Sequence, residues 1–373
     1  MLNSPPQQLL LTPGPLTTSP RTRAALRSDW GSRDGDFIAL SEGIRSRLAE
    51  LAGVADTHVT VPMQGSGTFA VEAAVQSLVP RDGKLLVLIN GAYGRRIVEI
   101  ARRLGRAYCV LEVAEHEPIP AETVAHMLAA DPAITDVMLV HCETTSGLLN
   151  PLAPISAVVW AAGRRLLLDA MSSFGAIPID GAQTPFTALI GSANKGLEGV
   201  PGLGYVIADR AHLATCQPHA TSLSLDLFAQ WQGFETTKQW RFTPPVQVVA
   251  ALSAALDQLD AEGGVPVRHQ RYQANCDLLI RGMRAHGFTT YIDPALQAPV
   301  IVTFRIPPGD WFQFTAFYNF LHARDVVIYP GKLTQEPSFR IGCIGAITPE
   351  DMARAMEAID AFMAAHGPVQ SAA

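Results

Sequence analysis

Three short strings in the chain carry residue types suited to group-transfer chemistry. The first is Gln64-Gly65-Ser66-Gly67-Thr68, running straight into Phe69-Ala70-Val71-Glu72-Ala73. Small residues let a backbone approach a ligand, and the hydroxyls of Ser66 and Thr68 add donors. A helix opening here offers unpaired N–H groups and a positive dipole end. Such a string can cradle a phosphate, and it can equally be an ordinary Ser/Thr cap on a helix. The second is Leu166-Leu167-Leu168-Asp169-Ala170-Met171-Ser172-Ser173, where a carboxylate directly follows an apolar strand. It reads as an acid at the sheet's active edge or as a structural aspartate capping the next turn. The third is Ser192-Ala193-Asn194-Lys195-Gly196, where a single lysine leaves a small-residue strand and enters a glycine-rich turn. Lysines seldom end a buried strand unless something anionic or electrophilic meets them.

The combination says more than its parts. Lys195 follows Asp169 by 26 residues with one more strand between them, so the two can occupy neighbouring strand ends. A phosphate cradle, a buried carboxylate and an amine on one sheet edge match the needs of pyridoxal 5′-phosphate. The lysine forms the Schiff base, and the aspartate holds the ring nitrogen protonated so that the ring withdraws electrons. No GxxxxGK[ST] is present, and Gly65-Ser66-Gly67-Thr68 lacks the spacing of a dinucleotide fingerprint. The five cysteines are far apart with no CxxC pair. They read as reduced thiols of a cytoplasmic protein, and no metal site is expected.

Those strings need a scaffold, and the hydrophobic pattern supplies one. Lys84–Ile89, Asp136–Val140, Leu166–Asp169, Ala188–Ala193 and Tyr205–Ala208 read as buried strands. Helix-like segments lie between them at Thr68–Leu78, Arg95–Leu104, Ala121–Ala130 and Ile155–Ala162. That alternation predicts an α/β sheet covered on both faces, with the site at the C-terminal ends of its strands. After a helix over Val246–Leu259, the composition changes near Asp260–Pro266. The rest alternates helices (267–286, 310–323, 349–365) with strands (299–305, 326–329), which predicts a smaller α+β domain. The expected organisation is an N-terminal arm over 1–20, a large domain over 21–260 and a small domain over 261–373.

With 48% hydrophobic residues in 373, the chain can bury a sizeable core. Its net charge of −6 speaks against nucleic acid or an anionic membrane as the main partner. The first twenty residues hold five prolines and no charge, unlike a signal peptide or a spanning helix.

Further strings widen the match. They include LLLTPGPLTT from Leu9, Asn90-Gly91-Ala92-Tyr93-Gly94, Glu143-Thr144-Thr145-Ser146-Gly147 and Ser222-Leu223-Ser224-Leu225-Asp226. Later come Trp240-Arg241-Phe242-Thr243, His269-Gln270-Arg271-Tyr272-Gln273, Tyr329-Pro330-Gly331-Lys332 and Phe339-Arg340-Ile341-Gly342. Nearly end to end, the chain resembles the 2-aminoethylphosphonate–pyruvate aminotransferase family. These are fold-type-I pyridoxal-phosphate enzymes, related to alanine–glyoxylate and serine–pyruvate aminotransferases. The resemblance implies a large domain with a mostly parallel sheet between helices. It also implies transfer of the amino group of 2-aminoethylphosphonate to pyruvate, giving phosphonoacetaldehyde and L-alanine. An alanine–glyoxylate or serine–pyruvate aminotransferase would keep the cofactor residues and change only the acid pocket. A lyase or desulfurase of the same fold is a more distant alternative.

Residue by residue, the resemblance implies Lys195 as the cofactor-linking lysine and Asp169 as partner of the ring nitrogen. Ser66, Gly67 and Thr68 would hold the cofactor phosphate, with Asn194 beside it. Tyr93 would stack on the ring and Thr144 would lie near the cofactor's 3′ oxygen. Thr243 would reach the cofactor phosphate of the other subunit, which implies a homodimer with shared sites. Arg340 would bind the substrate's acidic group, since its fork suits carboxylate or phosphonate oxygens and a buried arginine needs an anion. Arg33 stands where the family is expected to have an aromatic; it is a candidate second anion-binding group or a surface substitution. The arginines at 95, 96, 102, 103 and 106 read as the solvated face of a helix.

Overall fold

Alternating side chains along the central strands divide into two apolar sets, and that division builds the molecule. The computed structural model describes residues 8–333 and 335–368. The first seven residues of the expected arm and the last five of the expected small domain lie outside the described residues. Seven strands form the main sheet: β1 (His58–Gln64), β2 (Lys84–Ile89), β3 (Ala107–Glu112), β4 (Ile134–Val140), β5 (Arg165–Asp169), β6 (Ala188–Ser192) and β7 (Leu203–Asp209). Their order is β1-β7-β6-β5-β4-β2-β3, and β7 alone runs antiparallel to the other six.

Because successive side chains point to opposite faces, Leu86, Leu88, Val137, Leu139, Leu166 and Leu168 pack on one side. They meet α1 (Gly35–Leu51), α4 (Ala121–Ala130), α5 (Leu152–Ala161) and α7 (Val246–Glu262). Leu85, Val87, Ile89, Met138, Val140 and Leu167 pack on the other side. There they meet α2 (Gly67–Leu78), α3 (Ala92–Arg103) and α6 (Leu227–Thr237). A sheet buried on both faces needs continuous apolar strands, and β4 to β6 are buried almost throughout.

The sequence pattern misses β1 and β3, which are the two edges of this sheet. β3 is exposed or half-buried throughout, although its residues Ala107–Leu111 are apolar. Pro62 interrupts β1, as an edge strand tolerates. The pattern also misses the helices Gly35–Leu51 and Leu227–Thr237 and the strand Ser338–Gly342; several other elements differ at their ends. The helix expected from Arg95 begins at Ala92, that from Val267 begins at Val265, and that over 310–323 is Phe314–His322.

Beyond α7, Gly263 and Gly264 turn the chain into α8 (Val265–Ala285). A three-stranded antiparallel sheet follows, in the order β8-β10-β9: β8 is Ile301–Arg305, β9 Tyr329–Pro330 and β10 Ser338–Gly342. With α8, α9 (Phe314–His322) and α10 (Pro349–His366) it encloses its own apolar cluster, including Phe304, Phe317, Phe339 and Phe362. The segment expected as one strand over 326–329 splits: Val326–Val327 pairs with Leu9–Leu10, and Tyr329–Pro330 joins β10. Residues 9–10 are thereby tied to the C-terminal part, while Pro13 reaches Lys195 of the main sheet. Among the described residues, no helix is long and apolar enough to cross a membrane.

Candidate active site

Every parallel strand of the sheet delivers its C-terminal end to one edge, and a cavity of about 370 Å³ opens there. β1 leads into Gly65-Ser66-Gly67-Thr68, β4 into Cys142 and Thr144, β5 ends on Asp169, and β6 leads to Asn194 and Lys195. Tyr93, from the first turn of α3, closes one wall. Of the eleven residues singled out in the sequence, Ser66, Gly67, Thr68, Tyr93, Thr144, Asp169, Asn194 and Lys195 line this one space.

Ser66 bears on both readings of the cradle. It occupies the N-cap position of α2, yet its hydroxyl makes no capping bond, and the first turn of α2 holds no acidic residue. Asp169 satisfies both of its readings at once. Its Oδ1 accepts from the Met171 N–H at 3.0 Å, fixing the turn, while the carboxylate lines the cavity. Burial pushes its pKa up to about 6, against the pull of that N–H and of the Arg96 and Lys195 charges; Glu143 adds to the rise.

Lys195 donates from Nζ to the Pro13 carbonyl at 2.6 Å. Burial lowers its pKa, as do the charges of Arg340 and Lys332. The arm approaches this lysine so closely that only glycine fits at position 14. Gly14 has φ +122°, and a Cβ there would lie 2.8 Å from Lys195 Cδ and 2.9 Å from the Asn194 carbonyl.

A buried carboxylate to which the sequence reading gave no role sets the Tyr93 wall. Glu143 accepts from the N–H of Tyr93 at 3.2 Å and from the N–H and hydroxyl of Thr145. It thereby anchors the N-terminus of α3, and its desolvation raises its own pKa. Burial would raise the Tyr93 pKa too, but a hydrogen bond with Thr144 and the charges of Lys332 and Lys195 outweigh it and leave it lowered.

Arg340 is 6% exposed, on β10. It does not line the cavity directly. Its Nη1 donates to the Thr144 carbonyl at 2.9 Å, its Nε donates to the Pro330 carbonyl at 3.1 Å, and it is hydrogen-bonded to the Tyr93 side chain. The anion a buried arginine needs is not a protein group: it pairs with no carboxylate among the described residues.

Arg33 and Thr243 stand apart from this cavity within their own chain. Both are exposed, and they line a separate pocket with Trp240, Arg241 and Phe242. The arginine cluster also differs from its expected solvated face. Arg95, Arg102 and Arg103 pair with glutamates at the surface, but Arg106 is buried on the carbonyls of Gln76 and His219. Arg96 turns into the cavity, donating to Thr68 Oγ1 at 3.3 Å with its guanidinium 5.0 Å from the Tyr93 ring centre. The contacts that place Arg96 against Thr68 and Glu143 against Tyr93 join segments far apart in the chain, so no local pattern assigned either residue a role.

These residues suit a phosphorylated, amine-reactive aromatic aldehyde. The Ser192 hydroxyl lines the cavity, buried with no partner, and the α2 N-terminus and the Asp169 carboxylate both border the same space with opposite charges. Fold and site together define an aminotransferase: the Aminotransferase class-V model matches residues 19–355, and the chain belongs to that family. The 2-aminoethylphosphonate–pyruvate transaminase of Pseudomonas putida is 52% identical over 359 residues, spanning 96% of this chain and 97% of its own length. Among solved structures, pyridoxamine–pyruvate aminotransferase from Mesorhizobium loti has a TM-score of 0.88 at 27% identity, covering 96% of this chain and 93% of its own. Alanine–glyoxylate aminotransferase from Nostoc sp. shares the fold, with a TM-score of 0.90 at 24% identity and 97% of each chain covered.

Proposed function

We propose that this chain transfers the amino group of 2-aminoethylphosphonate to pyruvate, giving phosphonoacetaldehyde and L-alanine, with pyridoxal 5′-phosphate as cofactor. The observation that carries the reading is the 52% identity, over nearly the whole length of both chains, to a transaminase of that name. When bound, the cofactor supplies an aldehyde for the amine and a ring that withdraws electrons from the substrate carbon.

Around it, this chain's residues have distinct tasks. Ser66, Gly67 and Thr68 hold the phosphate at the α2 N-terminus, where N–H groups and the helix dipole favour an anion; Asn194 lies beside it and Arg96 adds a cation. Asp169 faces the ring nitrogen and keeps a proton there, an exchange that replaces a costly buried carboxylate by an ion pair. Tyr93 covers the ring face and Thr144 flanks its oxygen side. Burial favours the neutral amine of Lys195, so Nζ can act as nucleophile. Nζ would take the proton from the substrate carbon and deliver it to the carbon on the far side of the amine nitrogen, two bonds away, as general base and then general acid. Arg340 binds the substrate's phosphonate or carboxylate, which lets one site serve both half-reactions.

The domains follow as an arm over 1–20, a large part over 21–260 and a small part over 261–373. The active unit is a homodimer with shared sites, in which Thr243, with Arg33 near it, serves the partner's cavity. Their exposure, and that of Phe69, Leu223 and Phe242, supports this arrangement. The amino-donor profile of the cofactor-loaded protein tests the function. L-alanine should form from pyruvate with 2-aminoethylphosphonate as donor, and faster than glycine forms from glyoxylate with L-serine or L-alanine. The reverse preference would move the chain to the alanine–glyoxylate or serine–pyruvate group.

A further inference from the structure

We propose that Lys332 is the second cation of the acid-binding subsite, acting beside Arg340 to favour a phosphonate over a carboxylate. The inference rests on the 2-aminoethylphosphonate reading. Lys332 lies just past β9, and its Nζ is 4.3 Å from the centre of the Tyr93 ring. Arg340 is hydrogen-bonded to the same tyrosine, so the two cations converge on one side chain at the cavity wall.

The β9–β10 pairing brings them there. Tyr329 lies opposite Arg340 in the ladder, and the Gly331 N–H donates to the Ser338 carbonyl at 2.9 Å. A Cβ at Gly331 would sit 2.2 Å from that carbonyl oxygen, so the backbone leading to Lys332 is held against β10. Lys332 forms no ion pair and no hydrogen bond among the described residues. Its charge is felt instead inside the site, at Tyr93, Glu143 and Lys195.

One guanidinium fork matches the two oxygens of a carboxylate. A phosphonate has a third oxygen and up to one more negative charge near neutral pH, as phosphate groups do. A compact ammonium on a flexible stem suits that remaining oxygen. If Lys332 merely propped the Tyr93 ring, its loss would affect both kinds of acid alike.

Calorimetric titration of the cofactor-loaded protein with ethylphosphonate and with propionate separates these cases. In Lys332→Met, affinity for ethylphosphonate should fall about tenfold, while that for propionate changes by less than about twofold. Lys332→Arg should recover most of the loss, which controls for misfolding. Equal weakening of both ligands, or no change in either, overturns the proposal. If the wild-type protein does not react with 2-aminoethylphosphonate at all, the functional reading falls, and the two-ligand comparison still decides the role of Lys332.

Discussion

At the scale of single residues, the site depends on charges that burial makes costly. Asp169 has a folded pKa of about 6 against an ordinary value of 3.8. A carboxylate raised in this way costs nothing below pH 4, where it is protonated in both folded and unfolded chains. The cost grows between pH 4 and 6 and is complete above pH 6, reaching up to about 3 kcal/mol. Asn at this position can still accept from the Met171 N–H but carries no charge. Cofactor-free Asp169→Asn should therefore melt higher than the wild-type protein at pH 7.5, and the difference should disappear on approaching pH 4. Loading with pyridoxal phosphate should reverse the order, because only the carboxylate can pair with a protonated ring nitrogen. Melting curves across that pH range, with and without cofactor, check both signs; a variant no more stable than wild type at pH 7.5 would contradict them.

At the scale of elements, the arm and the strand ends must agree to within a few tenths of an ångström. Gly14 combines a left-handed backbone with contact against the Lys195 side chain. Gly14→Ala should push the arm away from β6 and release Nζ from the Pro13 carbonyl. Misplacing a reacting group by about 1 Å can cost on the order of a hundredfold in rate, so kcat should fall by about that much. The thermal midpoint should move by only a few degrees, since the apolar bodies on either side are untouched. Steady-state kinetics beside a melting curve would reveal the opposite pattern, a stability loss with kcat intact.

How far these elements could be read from the chain depended on burial. β2, β4, β5 and β6 are doubly covered and advertise themselves as apolar runs. The edge strands β1 and β3 stand out less, because Pro62 interrupts β1 and the apolar residues of β3 are at most half-buried. The same logic applies to the site. Lys195, Asp169 and the Ser66–Thr68 cradle follow from strand ends and a helix start, which are local features. Arg96, Glu143 and the closeness of Gly14 to Lys195 depend on contacts between segments about 30 to 180 residues apart, which no local pattern encodes.

At the scale of the whole molecule, the lysine turn is fastened to the C-terminal part by a buried ionic cluster. Glu198, 1% exposed and three residues past Lys195, accepts from Arg271 at 2.7 Å, the Tyr272 hydroxyl at 2.6 Å and Gln258 at 3.0 Å. Arg268, fully buried, donates to Glu262 at 2.8 Å and to the Gly196 carbonyl at 3.1 Å. Arg271 reaches on to the carbonyls of Gly345 and Ile347. Removing one charge from such a cluster leaves the others uncompensated. Glu198→Gln should cost roughly 3–5 kcal/mol, read as an early transition in denaturant; an unchanged midpoint would mean the cluster does not hold the two parts together.

The cluster, the arm and the β9–β10 pairing all bear on one cavity, and the central claim concerns what that cavity turns over. The most direct measurement is a single half-reaction. Protein loaded with pyridoxal phosphate is mixed with 2-aminoethylphosphonate, without pyruvate, and the cofactor absorbance is followed. The proposed function predicts conversion to the amine form of the cofactor with release of phosphonoacetaldehyde. An unchanged spectrum with 2-aminoethylphosphonate, alongside conversion by L-serine, would contradict it.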